Sequence, residues 1–201
     1  MSLVEDAVEK LEALVFGSGC DNNLAVLRRR PDAPTCQYVK GVALECIFGG
    51  RITHLVTDYP VQVTTRISFM FGQPMNTPEK RTAACAILNA VGKFLCITRR
   101  TEACQKTDYA PCLSSLRAML GENHVFVAGF IPGAADHLGG LLVDDPEKAD
   151  VIMVSGDGIL SDEGNAVLEQ YRGKKRMVFL GPETSGVCSL LNLEHWCPFG
   201  K

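Results

Sequence analysis

The stretch Asp150-Val-Ile-Met-Val-Ser155, followed by Gly156-Asp-Gly-Ile-Leu-Ser161, decides the fold class of this chain. A short apolar run between turn residues is typical of a strand that is covered on both faces in a parallel sheet. The loop behind it carries two glycines and ends at Ser161, whose hydroxyl suits the N-cap of a helix that we expect to stop at Gly173. The segment therefore predicts a strand, a polar loop and a helix in succession.

A second strand and polar turn follow at once, Arg176-Met-Val-Phe-Leu180 and then Gly181-Pro-Glu-Thr-Ser-Gly186, and a buried strand at residues 124–130 precedes both units. Successive strand-loop-helix units predict an α/β fold with a Rossmann-like, mostly parallel sheet, whose ligands bind at the carboxyl ends of the strands. Residues 141–143 are a further strand candidate. The connector before them is shorter than the roughly dozen residues that a parallel crossover requires, so their pairing stays open.

The N-terminal stretch begins with a helix signal. Ser2 and Glu5 form a capping-box pattern ahead of an amphipathic run. Residues 18–36 are rich in polar residues, proline and arginine, so we expect a loop there. The run Arg28-Arg29-Arg30 is interpreted as a solvated part of that loop.

Strand signals follow. The β-rich runs at residues 38–48 and 51–57 flank Gly49-Gly50, a pattern that favours a hairpin. Residues 61–71 alternate between apolar and polar side chains and predict a third strand. Residues 1–72 are therefore predicted to form a small α+β unit.

A long apolar helix is predicted at residues 78–97, capped by Asn76 or Thr77 and with Pro78 in its first turn. Because it is apolar on nearly every side, we expect it to be buried between the small unit and the sheet. Asn89, in its middle, is expected to hold backbone groups rather than to contact a ligand. We assign this helix to a Rossmann-like α/β domain at residues 73–201.

Charge and hydropathy exclude several classes of partner. The 201 residues carry a formal net charge of −3. The sequence therefore lacks the excess of positive charge that is typical of proteins binding nucleic acid or an anionic membrane. No apolar run approaches the roughly 18 residues of a membrane helix, and the N-terminal residues lack a signal-peptide pattern. We expect a soluble, cytoplasmic protein.

The nine cysteines include no Cys-x-x-Cys pair, and a disulfide framework is not expected in a chain of this size without a secretory signal. Cys46, Cys85 and Cys96 lie in apolar runs, where a reduced thiol packs as a small hydrophobic group. A soft-metal site made from some of the remaining thiols stays open. The thiols considered for it are Cys104, Cys112, Cys188 and Cys197.

Several catalytic fingerprints are absent from the sequence: G-x-G-x-x-G, the Walker A loop, H-E-x-x-H and G-x-S-x-G. These absences argue against a standard dehydrogenase, P-loop enzyme, zincin or α/β-hydrolase. What remains is a set of three polar loops that should converge on one rim of the sheet, with turns at Ile131, Gly156 and Pro182 as neighbours.

Two of these loops lead into the N-termini of helices, where backbone N–H groups can bind an anion. Carboxylates and an imidazole on the same loops could instead hold a cation. The predicted metal ligands are Asp157, Glu183 and His137. The predicted ligand-binding residues are Asn76, Pro132, Gly133, Ser155, Gly156, Asp157, Gly158, Pro182, Glu183 and Thr184.

Four short motifs carry a family resemblance: Pro74-Met-Asn-Thr-Pro-Glu-Lys-Arg81, Gly129-Phe-Ile-Pro132, Ala149-Asp-Val-Ile-Met-Val-Ser-Gly156 and Phe179-Leu-Gly-Pro-Glu-Thr184. Over roughly residues 74–190 the chain resembles the heavy-metal chelation domain family. The resemblance implies an enolase-type N-terminal unit joined to a Rossmann-like domain, an origin among anaerobic bacteria or archaea, and a metal or metal-bearing small molecule in the cleft between the two parts. Glu183, where a small hydroxyl residue is expected, and the short N-terminal unit depart from the pattern and leave the ligand open.

Three hypotheses result. The first is a binding protein that holds a metal ion, an oxyanion or a metal-bearing small molecule in the interdomain cleft; the only cofactor suggested is a metal ion. The second is an enzyme that acts on a small anionic or nucleotide-like substrate, with Asp157 or Glu183 as general base. The third is an assembly or scaffold protein with a vestigial cleft. The expected partner is a small-molecule or metal ligand, with neither nucleic acid nor membrane, and a homodimer stays open.

Overall fold

A computed structural model describes residues 2–201. The first of its sheets is antiparallel, with strand order β3-β2-β1-β4. Helix α1 (Leu3–Val15) precedes it, and its strands are β1 (Leu24–Arg29), β2 (Val42–Phe48), β3 (Arg51–Thr57) and β4 (Val63–Arg66). The predicted capping box of α1 is confirmed, because the Ser2 backbone N–H donates to Glu5 Oε2 at 2.8 Å and the Glu5 N–H donates to Ser2 Oγ at 3.3 Å.

The prediction of a loop at residues 18–36 is wrong for residues 24–29, which form strand β1. This strand is internal to the sheet and pairs with β2 on one side and β4 on the other. Ala25 and Leu27 enter the core, whereas Arg28 points to the opposite face and makes an ion pair with Glu45 of the neighbouring strand at 2.6 Å. The strand signal is weak because its apolar run, residues 24–27, is only four residues long and is followed directly by three arginines.

The hairpin at Gly49-Gly50 is confirmed, and both glycines adopt positive φ angles. Its first strand begins at residue 42 rather than 38, because Tyr38 packs into a separate apolar cluster beneath the parallel sheet. The third strand is shorter than predicted. After β4 the chain forms a 3₁₀ turn at Ile67–Met70, which buries Ile67 and Met70 in the core.

The second sheet is parallel, with strand order β5-β6-β7-β8, so the α/β class with a Rossmann-like sheet is confirmed. Its strands are β5 (Val125–Ala128), β6 (Val151–Val154), β7 (Arg176–Leu180) and β8 (His195–Trp196). Strand β6 is covered on both faces: Ile152 and Val154 belong to one apolar cluster, and Val151 and Met153 to the other. The short apolar run was therefore interpreted correctly.

Helices cover the two faces of this sheet. Buried residues of α3 (Tyr109–Leu120) and α4 (Ala134–Leu138) lie in one cluster, and those of α5 (Gly156–Leu160), α6 (Asp162–Tyr171) and α7 (Ser185–Leu191) lie in the other. The predicted loop at 156–161 is thus mostly the single turn of α5. The Ser161 hydroxyl accepts from the Gly164 N–H at 3.2 Å and caps α6, as predicted.

Residues 141–143 do not form a full strand. They make one parallel bridge, Val125 with Leu142, along the free edge of β5. The connector before them contains only the single turn of α4, which is too short to carry the chain into a regular ladder.

The long helix α2 (Pro78–Phe94) links the two sheets, since it packs against β2 and β3 on one side and against α7 on the other. Thr77, rather than Asn76, caps it, and residues 81–92 are buried, as predicted. The helix ends three residues early. Cys96 takes a left-handed φ of 58° and is exposed, so its predicted burial is wrong. Among the described residues, no helix has the length and apolar character that crossing a membrane requires.

Asn89 and Arg81 are the polar anchors of α2. The Asn89 side-chain amide donates to the carbonyls of Pro182 and Glu183 at 3.3 and 3.1 Å, and its oxygen accepts from the Gly186 N–H at 2.6 Å. Its expected role as a clamp for backbone groups is confirmed. Arg81 donates to the carbonyls of Leu160 and Met75 at 2.8 and 3.0 Å and thereby ties the corner between α5 and α6 to the same helix.

Replacing Asn89 with Ala removes one donor from each of two buried carbonyls and the side-chain acceptor of the Gly186 N–H, although the Pro182 carbonyl still accepts from the Ser185 N–H. We expect Asn89→Ala to lower the free energy of unfolding by about 2–4 kcal/mol, since each unsatisfied buried group costs roughly 1–3 kcal/mol. Denaturant unfolding measures the change. Asn22→Ala, at an exposed asparagine, is the matched control and should change it by less than about 0.5 kcal/mol. Equal effects of the two substitutions would contradict the clamp.

Candidate functional site

The turns after β5, β6 and β7 lie side by side, because these strands are adjacent and parallel. The packing is tight. A side chain at Gly129 would bring its Cβ to 2.5 Å from Ser155 Oγ and 2.7 Å from Gly158 Cα. The predicted common rim is therefore present, and only glycine fits at this position, where φ is +88°.

Several predicted ligand-binding residues hold this rim together. Ser155 is buried, and its hydroxyl accepts from the Gly158 N–H at 3.4 Å. Gly158 lies directly against the Ala128 carbonyl. The Thr184 hydroxyl donates to the carbonyls of Leu180 and Gly181 at 3.3 and 3.2 Å. These groups already have partners within the chain, so their observed role is to shape the turns.

Asp157 lines a cleft of about 370 Å³ between the first sheet and the end of β5. We call it the rim cleft and define it by Lys40, Asp58, Tyr59, Gly129 and Asp157. Lys40 Nζ lies 3.2 Å from Asp58 Oδ2. Residues from both parts of the chain therefore meet here, and they bring charges of both signs.

Negative charge is in excess at Asp157. Partial burial raises the pKa of its carboxyl group, the carboxylate of Asp58 raises that pKa further, and Lys40 lowers it. The pKa of the Tyr59 phenol is also raised, first by burial and then by Asp157. A positive charge bound in the rim cleft would lower the pKa of both groups.

Glu183 has different surroundings. Its side-chain stem packs over Gly156, where an added Cβ would lie 2.9 Å away, and its carboxyl group turns toward Cys36 beside Gly181. Glu183 is buried, and among the described residues its Oε2 atom has no hydrogen-bond partner. Burial raises its pKa to about 7, against a smaller lowering by its own backbone N–H.

The other predicted site residues are dispersed. Pro132, Gly133 and His137 line a separate pocket of about 300 Å³ beside Tyr38. Asn76 is exposed, and its amide oxygen accepts from Lys80 Nζ at 3.2 Å. The three predicted metal ligands thus lie in three environments. Within residues 2–201, no group of three His, Cys, Asp or Glu side chains is arranged to hold a metal ion.

Three residues of the rim cleft were not predicted from the sequence: Lys40, Asp58 and Tyr59, which flank strands of the first sheet. They belong to no motif. The available signal was the position of Asp58 and Tyr59 directly behind β3, where polar residues at a strand end can face a neighbouring sheet.

Comparison with known proteins concerns the fold alone. No family model matches the chain, and no curated protein sequence does. A protein of unknown function from the DUF364 family of Pyrococcus horikoshii is similar in structure, with 14% identity, a TM-score of 0.49, and coverage of 91% of this chain and 80% of that one. A second DUF364 protein of unknown function, from Desulfitobacterium hafniense DCB-2, has 14% identity, a TM-score of 0.41, and coverage of 82% and 78%. These neighbours belong to an uncharacterised family and do not bear on heavy-metal chelation.

The contact of Gly158 with β5 sets the shape of the rim. A Cβ at this position would lie 2.8 Å from the Ala128 carbonyl carbon and closer still to its oxygen. We expect Gly158→Ala to destabilise the fold by about 1–3 kcal/mol, because backbone must move to make room. Thermal or denaturant unfolding measures it. Gly140→Ala, where an added Cβ meets nothing within 4 Å, is the control, and a Gly158→Ala protein as stable as this control would refute the close packing.

The pKa of Glu183 predicts a pH dependence of stability. Its folded pKa of about 7 lies above the ordinary value of 4.5, so the folded state binds the proton more tightly than the unfolded chain. The stabilisation is full below about pH 4.5, is lost as the pH rises to about 7, and is absent above that; its size is about 3 kcal/mol at 1.36 kcal/mol per unit.

Glu183→Gln should remove this dependence, so the variant gains stability relative to the parent between pH 5 and 8. Unfolding curves across that range measure the difference. Glu169→Gln, at an exposed glutamate, should run parallel to the parent. A pH-independent difference between Glu183→Gln and the parent would show that Glu183 is ionised in the folded protein throughout.

Proposed function

We propose that this chain binds a metal ion, an oxyanion or a metal-bearing small molecule in the rim cleft. The observation that carries the proposal is the meeting of Asp58, Asp157 and Lys40 in one cleft, at the carboxyl end of β5. Ligands of open parallel sheets bind at such ends. A volume of about 370 Å³ lies within the ordinary range for small-molecule pockets.

The charges favour a ligand that carries both signs. A cation near Asp58 and Asp157 would lower the pKa of Asp157, which burial and then the Asp58 carboxylate raise. Lys40, at the same cleft, can pair with an anionic group. A metal ion already chelated by a small anion meets both conditions.

The number of ligands that a metal ion needs also favours a metal ion bound to a small anion. Hard cations such as Ca²⁺ take six to eight oxygen ligands, and Mg²⁺ usually keeps several waters. Three carboxylates line the cleft, those of Asp58, Asp157 and Glu163, but they are not arranged as a group that could hold a bare ion. A small anion that brings most of the ligands with it requires only one or two from the protein.

An enzyme is the second candidate, and Glu183 is the observation that favours it. A buried carboxyl group with a pKa of about 7 can exchange a proton at neutral pH, as a general base requires. Its substrate would be a small anionic or nucleotide-like molecule at the strand-end loops. A pH-rate profile that follows Glu183 would distinguish catalysis from binding alone.

Three probes test the binding proposal: Mn²⁺, inorganic phosphate, and Mn²⁺ with citrate as a small anionic chelator. We expect the chelate to raise the unfolding temperature most, because ligands that bind only the folded state stabilise it. Asp157→Asn should weaken chelate binding about tenfold, which corresponds to one charge-assisted contact of about 1.4 kcal/mol.

Asp136→Asn is the matched control, since Asp136 is exposed on α4 outside the rim cleft, and it should bind as the parent does. Lys40→Ala should weaken phosphate and the chelate but not Mn²⁺ alone. The proposal fails if none of the probes stabilises the protein, or if Asp157→Asn and Asp136→Asn bind the chelate equally.

A further inference from the structure

A pocket of about 260 Å³ lies where helix α7, strand β8 and the segment after α2 meet. We call it the basic pocket. It is lined by residues from three separate parts of the chain: Ile97, Arg99, Arg100, Ser185, Ser189 and His195. None of these residues carries a carboxylate, and none of them lines the rim cleft.

Arg99 and Arg100 bring two positive charges to the basic pocket. Both residues are exposed, and within residues 2–201 neither guanidinium group makes an ion pair with a carboxylate. A guanidinium group offers paired N–H donors whose geometry matches two oxygens of a phosphate or carboxylate group. Two such groups at one pocket, without a carboxylate to neutralise them, favour an anionic ligand.

The segment that carries these arginines is fixed on both sides. Before them, the N–H groups of Ile97 and Thr98 both donate to the Gly92 carbonyl, at 2.9 and 3.1 Å, and Thr98 is buried against that glycine of α2. After them, the Glu102 N–H donates to the Lys201 carbonyl at 2.7 Å, and the Lys201 N–H donates to the Glu102 carbonyl at 3.2 Å. The backbone of the segment is therefore in place before a ligand binds, which reduces the entropy that binding costs.

Helix α7 contributes two hydroxyl groups. Ser185 and Ser189 are four residues apart, so their side chains lie on the same face of the helix. Ser185 is held in place because the N–H of the next residue, Gly186, donates to Asn89 Oδ1 at 2.6 Å. A hydroxyl group at either position can donate a hydrogen bond to an anion.

His195 of β8 borders the same pocket. Its Nε2 atom lies 2.8 Å from the Gly181 carbonyl oxygen, and a carbonyl can only accept, so Nε2 carries the proton of the neutral ring. Burial lowers the pKa of His195, the hydrogen bond to Gly181 raises it, and the charge of Arg100 lowers it. An anion bound beside Arg100 would offset that charge and favour the imidazolium form, in which Nδ1 also becomes a donor.

The size and the donors of the basic pocket favour one small oxyanion. The volume of about 260 Å³ lies below the roughly 300–1,000 Å³ that is usual for small-molecule pockets. Two guanidinium groups and two hydroxyl groups supply donors from separate segments of the chain. Such a set suits a tetrahedral oxyanion better than a planar carboxylate, which has only two oxygen atoms to accept.

We propose that Arg99, Arg100, Ser185 and Ser189 form a binding site for a small tetrahedral oxyanion of the phosphate type, with His195 at its border. The ligand is inorganic phosphate or the terminal phosphate group of a small molecule, since both present the same oxygen atoms. The site does not rest on the binding proposed for the rim cleft, because the two have no residue in common.

Calorimetric titration of the full-length protein with inorganic phosphate tests the site. All proteins in this comparison carry Lys40→Ala, which removes the cation of the rim cleft. We expect Arg99→Gln and Arg100→Gln each to weaken phosphate binding about tenfold, because each removes a charge-assisted contact. Ser189→Ala removes a neutral donor and should weaken binding less, by roughly two- to fivefold.

Arg51→Gln is the matched control, since Arg51 is an exposed arginine of β3 outside the basic pocket, and it should leave phosphate binding unchanged. Arg99 and Arg100 are exposed as well, so their replacement should keep the fold, which the unfolding temperature without phosphate checks. Phenyl phosphate separates the two sources of the ligand. It should bind at least as tightly as inorganic phosphate if the site takes a terminal phosphate group, and more weakly if the site takes the free anion.

Two results would overturn the proposal. The first is an absence of phosphate binding to the Lys40→Ala protein. The second is a loss of affinity in Arg51→Gln that equals the loss in Arg99→Gln and Arg100→Gln, since phosphate would then respond to the overall charge of the protein and not to this pocket.

Discussion

The hydrogen bonds of Asn89 hold the turn after β7 in place. A helix buried on all sides cannot leave an amide unpaired, and Asn89 meets this constraint with three backbone groups of the turn after β7. The Glu183 side chain leaves this turn toward Cys36. One polar residue in an apolar helix thus anchors the turn that carries the buried carboxyl group.

Two acidic residues of the rim occupy different surroundings although they hold similar positions in the sequence, each just after a strand. Asp157 and Glu183 follow neighbouring strands, yet Asp157 lines the charged rim cleft and Glu183 turns toward the thiol of Cys36. Asp157 lies in the first turn of α5, which begins directly after β6.

Local signals predicted most of the fold. The Ser2 capping box, the Gly49-Gly50 hairpin and the Ser161 cap each depend on residues a few positions apart, and all three are present. Strand β1 was not predicted because its pairing partners, β2 and β4, lie further along the chain. The exposed arginines that follow its apolar residues also resemble a loop in the sequence. The burial of Cys96 was predicted wrongly because apolar residues continue in the sequence beyond Phe94, where helix α2 ends.

The sequence by itself determined the parallel sheet, the buried helix and the common rim of turns, because these depend on hydrophobic periodicity and on glycines that permit close backbone contact. Only the tertiary structure decided which side chains share a site. Lys40 and Asp58 join Asp157, and Cys36 joins Glu183, through contacts between segments more than 90 residues apart. Such contacts cannot be predicted from hydrophobic periodicity, because the residues that make them become neighbours only when the chain folds.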